Sequence, residues 1–368
     1  MAVATISEGS GTPGGASPGL GVFLRRQFAL GARSVINFYK VMRANPLSFA
    51  GFVLVSITLI LSAIVVLHPS LIVPYGATQN TNVYNEPPTL LRWPPSFAHP
   101  FGTDEGGRDM YSDVMLALPL DLGIGIGIAG ISVLVGGFLG LVAGFWDKPG
   151  TLGGATSAVI MRTTDVFLAF PSLLLALAIV ASIGRGIATA FLAIFITWWP
   201  FYVRLVRGEV LAVKHLPYVT AARAAGVKET RILTRHVLRN VFDPIVVYFT
   251  LDIGTVLVTF STISYIGAGI PWPGTSPEWG SMMSYYQGAE PIFIYWWFIA
   301  APAVAIFMTA LAYSLLGDGL RDVLDPRTRR ALTQSVTSQP PAEEPPLEKA
   351  TTETSEEDEA VEEEERRS

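Results

Sequence analysis

The chain has 368 residues, 50% of them hydrophobic and only 15% charged, with a formal net charge of −5 and positive mean hydropathy. That balance excludes an ordinary soluble domain and points to an integral membrane protein. There is no Cys, and the four His (His68, His99, His215 and His236) show no ligand spacing. Disulfides and Cys-based metal sites are therefore excluded, and no metal site built on His is expected.

Residues 1–46 form an N-terminal segment that opens Gly/Ser/Pro/Ala-rich, with no apolar run in residues 1–20. It then carries Arg25, Arg26, Arg33, Lys40 and Arg43. The apolar run that follows, about Leu47–Leu67, is long enough to span. It is expected to stay in place as an uncleaved first helix. Five more runs with little or no charge follow at Leu118–Phe145, Ala155–Ile183, Ile187–Val203, Pro244–Ala268 and Ile294–Leu316. A bilayer core needs about 20 apolar residues in a helix. Strand periodicity is absent, and a lipid-exposed backbone must satisfy its own hydrogen bonds. The expected fold class is all-α integral membrane, with six transmembrane helices over residues 47–328. The fourth run is the shortest and places Trp198, Trp199 and Tyr202 at headgroup level.

The loop at 69–117 is too long for a turn, and its Asn80, Asn82, Asn85, Pro87 and Pro88 predict an irregular excursion. It ends in Phe101-Gly-Thr-Asp-Glu-Gly-Gly-Arg-Asp109. Asp104, Arg108 and Asp109 are expected to pair among themselves and fix the start of the second span. Direct binding of a transported solute is the alternative role. The second span carries Gly136, Gly140 and Gly144 at spacing four, a pattern that lets helices approach closely, including at a subunit interface. Asp121 and Asp165 lie near span ends and can reach the interface. Asp252 lies about eight residues into the fifth run and is the better pathway candidate, with Asp121 second. The competing role for Asp252 is a hydrogen bond that holds helices together.

A basic loop at 207–243 separates the fourth and fifth runs. Its centre reads Tyr218-Val-Thr-Ala-Ala-Arg-Ala-Ala-Gly226. Ala221, Ala222, Ala224 and Ala225 keep a helix thin enough to enter a groove on a partner. Gly226 lets the chain turn through a left-handed conformation. Ile232, Leu233, His236 and Val237 recur at helical spacing and can pack back on the bundle. Arg223, Lys228, Arg231 and Arg235 are available to acidic groups of a partner. A solvated amphipathic loop is the plainer alternative.

Basic residues cluster in the N-terminal segment, in the 207–243 loop and at Arg321, Arg327, Arg329 and Arg330. Six spans put these three regions on one side, so both termini are expected in the cytoplasm. Residues 329–368 read as an acidic, disordered tail, with twelve acidic residues against Lys349, Arg366 and Arg367 after position 330.

Five segments together resemble one family, the dipeptide/oligopeptide/nickel-type ABC-transporter permeases, second of their two paired membrane subunits. These are Phe101–Asp109, Met161-Arg-Thr-Thr-Asp-Val-Phe-Leu-Ala-Phe-Pro-Ser172, the basic loop, Trp279-Gly-Ser-Met282, and Leu316–Pro326. The resemblance covers about residues 45–328. The family's coupling motif is Glu-Ala-Ala, three residues, Gly, nine residues, then Ile-x-Leu-Pro. Thr220-Ala221-Ala222 and Gly226 hold the first half, and His236-Val-Leu-Arg239 the second. Thr220 replaces the family's Glu, and Arg239 its Pro. The resemblance implies ATPase coupling through Tyr218, Thr220, Ala221, Ala222, Arg223 and Gly226. It also implies a homologous second permease subunit, two ATPase subunits carrying ATP and Mg, and an external solute-binding protein, in the cell membrane and without nucleic acid.

The chain has no Gly-x4-Gly-Lys-Ser/Thr phosphate loop and no His-Glu-x-x-His. A non-catalytic transport subunit is expected, with no cofactor of its own. Import of di- or oligopeptides is the leading function, with oligosaccharides or nickel complexes as the alternative cargo. A gated channel or a membrane scaffold is the rival from another class.

Overall fold

The computed structural model describes residues 42, 43, 45–74, 93–269, 271, 276–287 and 294–324. Most of the N-terminal segment, Asn80–Pro88 of the 69–117 loop and the acidic tail lie outside the described residues. Contacts divide the chain into Met1–Arg321 and Asp322–Ser368. Of the second unit only 322–324, the end of the last helix, are described.

Among the described residues nine helices position the site: α1 (Pro46–Leu67), α2 (Met110–Phe145), α3 (Leu152–Leu168), α4 (Ser172–Ile183), α5 (Ile187–Val213), α6 (Pro217–Ala224), α7 (Glu229–Ala268), α8 (Trp279–Gln287) and α9 (Trp297–Leu324). Among the described residues there is no strand, only an isolated bridge between Thr103 and Asp109. Five helices are long and apolar enough to cross a membrane, and six segments are if the bent pair α3–α4 counts as one. Large apolar side chains such as Ile60, Val66, Leu134, Phe138 and Phe307 are exposed along these helices. Such surfaces are at home against lipid or another membrane chain and not against water.

Three boundaries differ from the sequence expectation. The run Ala155–Ile183 is not one straight helix. It breaks between Leu168 and Ser172, with an 84° bend. Pro171 lacks an N–H and disfavours helical backbone in the residue before it, which ends α3. The second span starts earlier than Leu118, because Asp109 caps α2 by accepting from the Ser112 N–H at 2.9 Å. The basic loop is shorter than 207–243. Helix α5 continues through Val213 and α7 begins at Glu229, leaving only 214–228 between them. The charges that seemed to end the fourth span are carried on the helix itself, with Arg204 paired to Asp165 and Arg207 to Asp147, each at 2.7 Å.

The glycine ladder of α2 faces α5 in the same chain, and these two form the most extensive helix pairing. A Cβ on Gly140 would stand 2.7 Å from the Val203 carbonyl oxygen and 2.9 Å from Val206 Cβ. One on Gly144 would stand 2.8 Å from Val210 Cβ, and one on Gly136 would collide with the Trp199 carbonyl. The ladder therefore serves an internal contact. Trp198 and Tyr202 also depart from expectation. They sit mid-helix in α5, and Tyr202 is fully buried, so it lies inside the bundle and not on a flanking surface.

Candidate functional site

Two places concentrate the candidate residues. The first is the short connection between α5 and α7. Pro217 at the first turn of α6 is preset for a helix start. The helix ends in a full Schellman arrangement. The Val227 N–H donates to the Ala222 carbonyl at 3.1 Å, and the Gly226 N–H to the Arg223 carbonyl at 3.0 Å. Gly226 takes φ +75°, the left-handed conformation this cap requires.

One residue of α6 is buried. Val219 enters an apolar cluster with Phe145, Val206, Val210, Ile232 and Val237. Ile232 and Val237 belong to the core, Leu233 is half-buried, and the His236 ring lies 6.4 Å from that of Tyr218. The opposite face of α6, with Tyr218, Thr220, Ala221 and Ala224, is exposed, and Ala222 is half-buried. Thr220 directs its hydroxyl to the Pro217 carbonyl at 2.9 Å.

Charge fixes the connection further. Arg223 clasps Glu229 across the turn, with Nε at 2.8 Å from one carboxylate oxygen and a terminal nitrogen at 3.2 Å from the other. The hydrogen bond to Glu229 raises the Arg223 pKa further. Arg223 is thus held within the connection. Lys214 sends its Nζ to the Gly144 carbonyl at 2.9 Å, and desolvation lowers its pKa. This bond ties the end of α5 to the end of the glycine ladder.

The second place is a cavity of about 420 Å³ where the α3–α4 bend meets α5 and α7. Ser172, Thr197, Trp198, Phe201, Tyr248 and Asp252 contribute to its lining. Asp252 accepts from Trp198 Nε1 at 2.7 Å and from the Tyr202 hydroxyl at 2.8 Å, both on Oδ2. It therefore joins α5 to α7 while also facing the cavity.

Residues 136–330 match the family described as "Binding-protein-dependent transport system inner membrane component". The chain belongs to that family. It is 37% identical over 287 residues to the probable D,D-dipeptide transport system permease protein DdpC of Escherichia coli strain K12, covering 78% of this chain and 90% of that one. It is 39% identical over 235 residues to the glutathione transport system permease protein GsiD of Pectobacterium atrosepticum, covering 64% and 75%. The putative peptide transport system permease protein BRA1093/BS1330_II1085 of Brucella suis biovar 1 is 37% identical over 236 residues, covering 64% and 76%. The protein is thus an ABC permease of the peptide type, a multi-pass membrane subunit.

The permease uses its other acidic candidates structurally. In the Phe101–Asp109 motif, Asp104 accepts from the Gly106 and Arg108 N–H groups at 2.8 and 2.7 Å and from the Tyr286 hydroxyl at 3.0 Å. Burial raises its pKa despite these bonds. Arg108 thus meets Asp104 through its backbone N–H. Asp109 binds His99 Nδ1 at 2.9 Å and the Ser112 hydroxyl at 2.6 Å. The motif is a folded cap that locks the start of α2 against α8.

Asp121 does not reach an interface. It is fully buried, accepts from the Trp279 N–H at 3.1 Å, and does not line the Asp252 cavity. Its neighbour Glu278, which the sequence reading missed, caps α8 through the Gly280 and Ser281 N–H groups, both at 2.9 Å. Glu278 stands directly before the Trp279-Gly-Ser motif, a helix-start signal that the sequence carried. Trp198 and Tyr202 were missed as partners of Asp252. Their i, i+4 spacing places them on one face of α5, and nothing local indicates that α7 lies opposite.

Proposed function

We propose that the chain is the peptide-conducting permease subunit of an ATP-driven importer and that α6 is its coupling helix. Its transmembrane domain is residues 47–328, with six spans, counting α3 and α4 as one. By the positive-inside bias both termini and the α6 connection lie in the cytoplasm, and residues 69–117 lie outside. It pairs with a homologous permease, two ATPase subunits that bind ATP and Mg, and an external solute-binding protein. Di- or oligopeptides are the cargo, in keeping with relatives named for D,D-dipeptide, glutathione and peptide transport.

The observation that carries this reading is the two-sided build of α6. One side anchors through Val219, and the other exposes small side chains beside Tyr218. A partner that grips Tyr218, Thr220, Ala221 and Gly226 would pull on the 214–228 connection. Val219, the Arg223–Glu229 clasp and the Lys214–Gly144 bond would pass that displacement into α2, α5 and α7. Movement reaches the cavity only if the partner's ligand favours one state over the other.

Replacing exposed Ala221 with Trp fills the gripping face and spares the buried one. With the purified complex, uptake of a dipeptide into proteoliposomes and peptide-stimulated ATP hydrolysis are both expected to fall to background. Wild-type uptake in A221W, at normal expression, would refute docking through this face. Full solute flux without nucleotide would favour a gated channel instead.

A further inference from the structure

The Asp252 cavity carries a more specific chemistry than a passive conduit requires. Asp252 stands sixteen residues before Ala268, the end of α7. At 1.5 Å per residue it is about 24 Å from that end and about 12 Å from Pro244, where the apolar run begins. It lies eight residues into the apolar run Pro244–Ala268, where an ionisable side chain faces the bundle interior or water and is a pathway candidate.

Both of its protein hydrogen bonds fall on Oδ2, and Oδ1 has no hydrogen-bond partner among the described residues. Among the described residues no Lys or Arg lines the cavity, and Arg204, three residues after Phe201, is paired with Asp165. The walls beside the carboxylate are aromatic: Trp198, Phe201 and Tyr248, the last two with ring centroids 6.3 Å apart. Aromatic faces attract cations, most strongly where water is scarce. The described residues contain no group of three metal-ligating side chains. An open carboxylate oxygen among aromatic rings, with no built-in cation, suits an organic ammonium group.

We infer that Asp252 is a binding site for the ammonium group of the solute within the permease itself. The inference rests on the peptide-import reading and deepens it. The chain would then select for a free amino terminus after any external binding protein has released its load. Ser172 and Thr197 leave hydroxyl-bearing wall for the rest of a small peptide.

The test uses the permease–ATPase complex in phosphatidylcholine nanodiscs, a lipid without a primary ammonium group, and no solute-binding protein. Binding of radiolabelled dialanine and of N-acetyl-dialanine is measured by equilibrium dialysis. Wild type is expected to prefer the free amine on the order of tenfold, the scale of one charge-assisted contact. Asp252→Asn keeps an acceptor for Trp198 and Tyr202, so its melting temperature should stay close to wild type, while the preference for the free amine disappears. Asp252→Glu should retain part of it.

A stable D252N that still prefers dialanine overturns the inference, as does a wild type that binds both compounds alike. Binding of maltotriose unaffected by D252N, with none of dialanine, would also overturn it and point to stacking on the aromatic wall. The peptide-import reading is scored separately, by uptake with the complete transporter and its binding protein. Uptake intact alongside an unselective cavity would sink only the ammonium site.

Discussion

Gly140→Ala is the sharpest probe of the α2–α5 contact. The added Cβ would meet the Val203 carbonyl oxygen at 2.7 Å and Val206 Cβ at 2.9 Å. Ordinary contact begins near 3.4 Å, so α5 must retreat by more than half an ångström. The obstacle at Val203 is backbone and cannot rotate away. Overpacking of this kind costs roughly 1–3 kcal/mol. The gain in helix propensity from Gly to Ala returns about 1 kcal/mol, so a net loss of up to about 2 kcal/mol is expected, at the upper end because the obstacle is backbone.

Gly123→Ala on the same helix is the control. Its Cβ would meet nothing within 4 Å, so only the propensity gain remains. Thermal unfolding of the two variants in one detergent should therefore move in opposite directions from wild type. G140A should also lower coupled uptake, because α5 leads directly into the α6 connection. A G140A protein as stable as G123A would refute the packing argument for the ladder.

Gly226→Ala puts a side chain into open space but at φ +75°. The cost is conformational, about 1–2 kcal/mol, and Gly226→Asn should cost less. Limited proteolysis at 214–228 and ATP-coupled uptake would register both. For the Arg223–Glu229 clasp, both side chains are more than a third exposed. A double-mutant cycle to Ala should give a coupling of about 1 kcal/mol or less, weakening with added salt. Trp279→Phe removes the indole donor to the Val114 carbonyl at 3.0 Å in a buried setting. A loss of roughly 0.5–1.5 kcal/mol is expected, from the lost bond, in the same unfolding assay.

Much of this permease was legible locally. The apolar runs foretold its five or six candidate membrane segments, because lipid demands about 20 apolar residues per crossing. Gly226 and the alanines before it announced α6 and its left-handed cap, since both depend on residues within one turn. Pro171 carried the break in the third run, but run length concealed it. The glycine spacing on α2 forecast close packing and left its partner open.

What only the tertiary structure decided is which distant groups meet. Asp104, Asp109, Asp121 and Asp252 look alike in sequence, as acids at or near spans. The fold consumes the first two in capping and docking bonds, and buries Asp121 beside Glu278 and Trp279. It leaves Asp252 with one oxygen toward a cavity. Trp198 and Tyr202, placed at a boundary by the length of their run, became Asp252's donors because α5 extends well past it. Hydropathy reports where a helix can lie in lipid. It does not report where the helix stops or which face meets another fifty residues away, because those depend on pairings between helices.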